Sequence, residues 1–178
     1  MARTVDRDVL LGFIEEVKGY LPQIRKDLES LRTNPHKVDS MEEMFRLLHS
    51  IKGAASMVGL SALSHIAYYP EEALQEIAAG KLEWNQHMAA ALAMTISHIE
   101  SYLDGALSGK VRERPLVAEV VTAFRRLWGR PESGDQAEID ALVGAEESRP
   151  SVAESTEPPP APTVQDVAVE EEIGRAHV

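Results

Sequence analysis

The sequence predicts an all-α fold: an antiparallel up-and-down four-helix bundle with a short extra helix and a disordered acidic C-terminal tail. Three observations predict it. Apolar residues recur at three- and four-residue steps along four long segments, and no segment shows convincing period-two alternation. The segments are separated by short stretches carrying Pro, Gly and Asn, the connections that antiparallel helices need. Charge is segregated: residues 1–131 hold 16 basic and 17 acidic residues, while 132–178 hold 2 and 12, so the net −11 belongs almost wholly to the tail.

The first helix is expected over 5–32, on a stripe of Val9 or Leu10, Phe13, Val17, Leu21, Ile24, Leu28 and Leu31. Asp6 or Asp8 is placed to cap it, Pro22 predicts a kink near Gly19, and Thr33-Asn34-Pro35 ends it. The second helix takes Asp39 and Ser40 as caps and buries Met44, Leu48, Ile51, Ala55 and Val58 before Gly59 stops it. Ser61 caps a third helix over 61–79 with Leu63, Ile66, Leu74 and Ile77 inward, and Pro70 predicts a kink or break around 67–69. Trp84 and Asn85 introduce a fourth over 86–107, on Met88, Leu92, Ile96, Ile99, Leu103 and Leu107. These four form a bundle domain over 6–108.

An accessory amphipathic helix follows within 115–129, with Pro115 at its first position and Leu116, Val120, Phe124, Leu127 and Trp128 on its apolar side. Residues 130–178 are read as an acidic, Pro-rich linker, with a brief helix expected at 136–143 and an extended run at 157–162. Such a linker implies that the chain is a piece of a longer protein.

The composition excludes several classes of function. There is no cysteine, so no disulfide, thiolate metal site or cysteine nucleophile exists. No run of about 18 apolar residues is present, which argues against membrane insertion. The N-terminus lacks the apolar region of a signal peptide, and a cytoplasmic location is expected. Near-neutral charge over 1–131 gives no basic surface for nucleic acid.

The chemistry centres on Phe45 to Gly59. His49 lies one residue off the buried stripe, with Phe45 and Arg46 before it and Lys52, Gly53 and Ser56 after it on the same side. Four meanings are open to it: a structural histidine, a metal ligand, a general base, or a phosphoryl-accepting nucleophile. No His-x-x-x-His or Glu-x-x-His pair surrounds it, so no metal is assigned. A phosphoryl acceptor needs one ring nitrogen exposed and unprotonated, and the other fixed by an acceptor. Lys52, one turn on, can offset phosphoryl oxygens. The small residues Gly53 and Ser56 leave room for a partner's active site over the ring.

The run Phe45 through Gly59, with its His-Ser-Ile-Lys-Gly core, resembles the histidine phosphotransfer (HPt) domain of chemotaxis-type histidine kinases. It also resembles the related domains of hybrid kinases that control twitching motility. The resemblance covers about residues 6–108 and implies a helical bundle with the histidine exposed on its second helix. It implies that His49 is the phosphoacceptor and modified residue, that Lys52 supplies phosphoryl electrostatics, and that Glu71 on the third helix orients His49. Arg46, Gly53 and Ser56 are assigned to partner docking.

The implied partners are the ATP-binding catalytic domain of a histidine kinase and the receiver domain of a response regulator. This chain has no Gly-rich phosphate loop, so no cofactor is assigned to it, and it is expected to be the N-terminal piece of a chemotaxis-type kinase. Two departures from the family stand out: Tyr68 occupies the place of a second histidine, and Pro70 precedes Glu71 inside the helix. They motivate an alternative, a pseudo-HPt bundle that is never phosphorylated and only binds partners.

Overall fold

Six α-helices and one short 3-10 turn, with no strand, make up residues 6–144, which are the residues the computed structural model describes. The helices are α1 (Arg7–Thr33), α2 (Val38–Met57), α3 (Ser61–Ala78), α4 (Gln86–Ala106), α5 (Glu113–Leu127) and α6 (Asp135–Val143), with the 3-10 turn Glu132–Gly134 before α6.

Their ends follow local chemistry, not always where the sequence placed it. Asp6 caps α1 by accepting from the Asp8 amide at 2.9 Å, and Asn85 caps α4 by accepting from Met88 at 2.9 Å. The second and third helices have no side-chain cap. Lys37 and Leu60 occupy the cap positions, so Asp39, Ser40 and Ser61 lie inside the first turns instead of before them. Buried apolar residues further along hold these helices, so a missing cap costs only about 1 kcal/mol against that packing. Gly59 (φ 80°) and Gly80 (φ 69°) adopt the left-handed conformation that turns the chain out of α2 and α3.

Neither proline breaks its helix. Pro22 and Lys18, whose carbonyl it cannot bond, are both exposed, so water replaces the missing partner. Pro70 is buried inside a continuous α3, flanked by the buried Ile66, Ala67, Ala73 and Leu74. An interior proline costs about 3 kcal/mol. Apolar burial on both sides of it offsets that cost, and the break expected at 67–69 does not form.

The first four helices close a ring of neighbours: α1 packs on α2 and α4, α2 on α3, and α3 on α4. Val17, Ile24, Met44, Leu48, Leu63, Ile66, Leu92 and Ile99 meet in one continuous core. Leu107, expected in the stripe of α4, lies past its end and is exposed.

The fifth helix extends that core. It packs on α3 and α4 and buries Val117, Val120, Val121 and Phe124, while Leu116, Leu127 and Trp128 are only half-buried. Three valines and Phe124 face the neighbouring helices, while Leu116, Leu127 and Trp128 rim the contact. Pro115 sits two residues after the start of α5, still within the turn whose N–H groups have no helical partner.

The brief helix expected at 136–143 is present as α6, and the 3-10 turn before it carries helical structure back to Glu132, within the stretch read as linker. Arg125 explains why. Its Nε donates to Asp135 at 2.6 Å and its Nη1 to Glu138, while the Tyr69 hydroxyl also donates to Glu138 and Ile139 is buried. Acidic residues that read as a solvated tail are the partners of a half-buried guanidinium. The Pro-rich part of that tail lies outside the described residues.

Candidate functional site

α2 buries Met44, Leu47, Leu48, Ile51 and Ala55 and thereby turns His49 outward, with its side chain 62% exposed. The Phe45 ring, one turn earlier, stacks on the imidazole at 6.1 Å with an interplanar angle of 20°. The helix that faces α2 supplies the carboxylate. Glu71 lies one turn from the buried Ala67 and Leu74 on α3, and its side chain is only 7% exposed. His49 Nδ1 meets Glu71 Oε1 at 2.7 Å.

A carboxylate oxygen accepts, so the neutral tautomer that suits this contact carries its hydrogen on Nδ1 and its lone pair on Nε2. Nε2 has no partner among the described residues and stands on the exposed side of the ring. The arrangement therefore presents a nucleophilic nitrogen to solvent. The positive charge that bonding at Nε2 would create is backed by a buried anion.

Lys52 completes the pair in an unexpected way. Its ammonium lies 2.7 Å from the other oxygen of Glu71, Oε2. The contact is not aligned as a hydrogen bond, so Oε2 is held by charge alone. A buried carboxylate without a cation would be costly, and Lys52 removes that cost. Its charge is directed at Glu71, with the side chain 28% exposed. Two further contacts fix Lys52: the Ser64 hydroxyl donates to its main-chain carbonyl at 3.0 Å, and its ammonium lies 5.9 Å from the Tyr68 ring centre. Burial, and then the neighbouring Glu72, raise the Tyr68 phenol above its ordinary value, so that ring is neutral.

The residues assigned to docking all lie on the outer side of α2. Gly53 and Ser56 are exposed, and a Cβ on Gly53 would meet nothing within 4 Å. No packing inside the chain requires that glycine. Arg46 is exposed, but its guanidinium is bonded to Glu43 through Nε at 2.9 Å and Nη2 at 2.6 Å. That pairing raises Arg46 and lowers Glu43 from their ordinary values.

The sequence brought His49, Lys52 and Glu71 to notice, and the structure places His49 and Lys52 each 2.7 Å from an oxygen of the Glu71 carboxylate. The sequence placed Phe45 beside His49, four residues before it, without anticipating the stacking, and it missed two supports of Lys52. The contacts of Ser64 and Tyr68 with Lys52 join two helices, and no local spacing announces them. Among the described residues no group of three His, Asp or Glu could hold a metal, and no helix is long and apolar enough to cross a membrane.

Comparison with known proteins bears on this geometry. The chain is 27% identical over 108 residues to the chemotaxis protein CheA of Borreliella burgdorferi, a match covering 60% of this chain and 12% of that protein. CheA of Halobacterium salinarum is 29% identical over 97 residues, covering 54% of this chain and 14% of that protein. CheA of Bacillus subtilis is 25% identical over 126 residues, covering 71% and 19%. The chain thus spans less than a fifth of the length of these relatives. No solved structure matches it significantly. The Hpt domain family matches residues 8–105, from the first turn of α1 to the last turn of α4, which takes in His49, Lys52 and Glu71. The chain belongs to the Hpt domain family.

Proposed function

We propose that this protein is a phosphorelay carrier in which His49 accepts a phosphoryl group from the ATP-binding domain of a histidine kinase. It then passes the group to an aspartate on a response-regulator receiver domain. In the first step the Nε2 lone pair bonds the γ-phosphorus of ATP as the bond to the leaving ADP oxygen breaks. Nδ1 keeps its proton, and Glu71 stabilises the charge shared over the ring. In the second step an aspartate oxygen displaces Nε2 and the neutral imidazole returns.

The observation that carries this reading is the His49–Glu71 pair with its carboxylate buried and its imidazole outside. The orienting role of Glu71, the electrostatic role of Lys52, and docking over Arg46, Gly53 and Ser56 belong to the same proposal. So does an antiparallel up-and-down arrangement of the first four helices. It is supported by the order of the α1–α4 ion pairs, Lys18 with Asp104 and Arg25 with Glu100, because one number rises as the other falls. The matches to CheA support a place in chemotaxis-type signalling.

A pseudo-HPt role drew its motive from Tyr68 and Pro70. Unbroken helix through Pro70 and the 2.7 Å contact of Glu71 with His49 weigh against it. The test is labelling from radioactive ATP with the cognate kinase domain. Wild type should take alkali-stable, acid-labile label and lose it to a receiver domain, while His49→Gln takes none. Equal labelling of His49→Gln, or no label on wild type, overturns the proposal.

A further inference from the structure

Tyr68 is the tyrosine of α3 that stays exposed beside the site, with the Lys52 ammonium 5.9 Å from its ring centre. It lies three residues before Glu71 and four after Ser64, so the third helix presents Ser64, Tyr68 and Glu71 as one column toward Lys52. Each member does something different to that lysine. Ser64 holds its backbone carbonyl, Glu71 attracts its ammonium, and the Tyr68 ring stands 5.9 Å from the same ammonium. The ring is itself braced, edge-on against Tyr69 at 5.4 Å and 80°. Tyr69 is held in turn by Glu138 of α6, by the Phe124 ring of α5 and by the Trp128 ring just past its end.

We propose that Tyr68 is a positioning residue: its ring walls the Lys52 ammonium against Glu71 Oε2, and so keeps that oxygen paired and the carboxylate turned toward His49 Nδ1. The reason lies in the second oxygen of Glu71, which is buried and has no aligned hydrogen bond. Only the Lys52 charge satisfies it. A lysine side chain has four rotatable bonds and water within reach, so an ammonium left unconfined spends part of its time hydrated. Each such excursion leaves a buried carboxylate oxygen bare and frees the carboxylate to turn away from Nδ1. A carboxylate turned away no longer demands a hydrogen on Nδ1, and the nucleophilic lone pair at Nε2 is lost to the other tautomer. A neutral aromatic face suits the wall, since it attracts the cation without offering it a competing charge.

The inference rests on the phosphoacceptor reading for its consequence, but its immediate readout is the His49 tautomer, which needs no partner protein. The experiment is long-range ¹H–¹⁵N NMR of the His49 ring at neutral pH in wild type, Tyr68→Phe, Tyr68→Ala, Lys52→Met and the Tyr68→Ala/Lys52→Met double variant. Tyr68→Ala should raise the population with hydrogen on Nε2 about two- to fivefold, the range of a partly exposed cation–aromatic contact. Tyr68→Phe should restore the wild-type tautomer, because the ring and not the hydroxyl acts. In the Lys52→Met background, Tyr68→Ala should add nothing.

An unchanged tautomer in Tyr68→Ala overturns the proposal. So does an equal shift in the Lys52→Met background, which would mark a packing effect transmitted through Tyr69. If the tautomer shifts as stated but wild-type protein never takes label, the positioning role stands and the phosphorelay reading fails. If wild type takes label and the tautomer does not move, the reverse holds.

Discussion

Among its described residues the protein contains two histidine–glutamate contacts of nearly equal length, His49 with Glu71 at 2.7 Å and His98 with Glu119 at 2.8 Å. Their burial is inverted. In the first, the imidazole is 62% exposed and the carboxylate 7%; in the second, the imidazole is 15% exposed and the carboxylate 60%. A buried carboxylate has given up its water, so its contacts with His49 and Lys52 are its whole stabilisation, and they fix the ring. An exposed carboxylate keeps its water, and the ion pair it makes is worth little. A histidine–glutamate contact therefore does not define a reactive site by itself. What matters is which partner was taken out of water, and whether a ring nitrogen is left facing it.

The comparison can be broken or sharpened by experiment. Its largest expected effect is at the histidines themselves. His49→Gln should abolish phosphoryl acceptance, whereas His98→Gln should retain it, as measured by radiolabel from ATP and a cognate kinase domain. Labelling that follows His98 would invert the assignment.

Next comes the carboxylate. Glu71→Gln removes the charge that demands a hydrogen on Nδ1 and leaves Lys52 unpaired. The phosphorylation rate should fall about ten- to hundredfold, the worth of one charge-assisted hydrogen bond. Rapid-quench labelling at saturating kinase domain would measure it, and an unchanged rate would show that burial of Glu71 serves the fold alone.

Glu119→Ala is the matched change at the other pair. Stability in urea should move by less than about 0.5 kcal/mol, with no change in labelling, because water already solvates that carboxylate. A loss above 1 kcal/mol, converted from the urea midpoint, would erase the contrast between the pairs.

The smallest effect concerns His65, a third histidine on α3 whose affinity for protons is lowered by burial alone. Its folded form binds a proton less readily than its unfolded form. Its contribution to stability is therefore complete above the ordinary histidine value of about 6.5 and is lost as pH falls through the folded value. Urea melts at pH 7.5 and 5.5 should show wild type losing more stability on acidification than His65→Leu. Parallel losses would mean that His65 stays solvated in the fold.

Much of this was legible in the sequence because helices announce themselves locally. The stripe Met44, Leu48, Ile51 and Ala55 places His49 outside the core by angle alone. Lys52 and Gly53 share its face for the same reason. Pro70 shows where local rules lose. Its penalty was visible in the sequence, and so was the inward stripe with Ile66 and Leu74, but the burial of Ala67, Ala73 and Pro70 itself beside them was not. The acidic residues Asp135 and Glu138 read as tail because their partner, Arg125, stands ten or more positions away across a turn.

The sequence by itself determined four amphipathic helices, one exposed histidine beside a lysine and a glycine, and the family resemblance that named Glu71. Periodicity along a single helix is sufficient for the first two, since 3.6 residues per turn fixes which side chains share a face. Only the tertiary structure decided how deep Glu71 sits, that Lys52 answers its second oxygen, and that Tyr68 and Ser64 close around that lysine. Those facts depend on the register and depth at which α3 packs on α2. Every core side chain of the bundle sets that register together, and no local spacing encodes it.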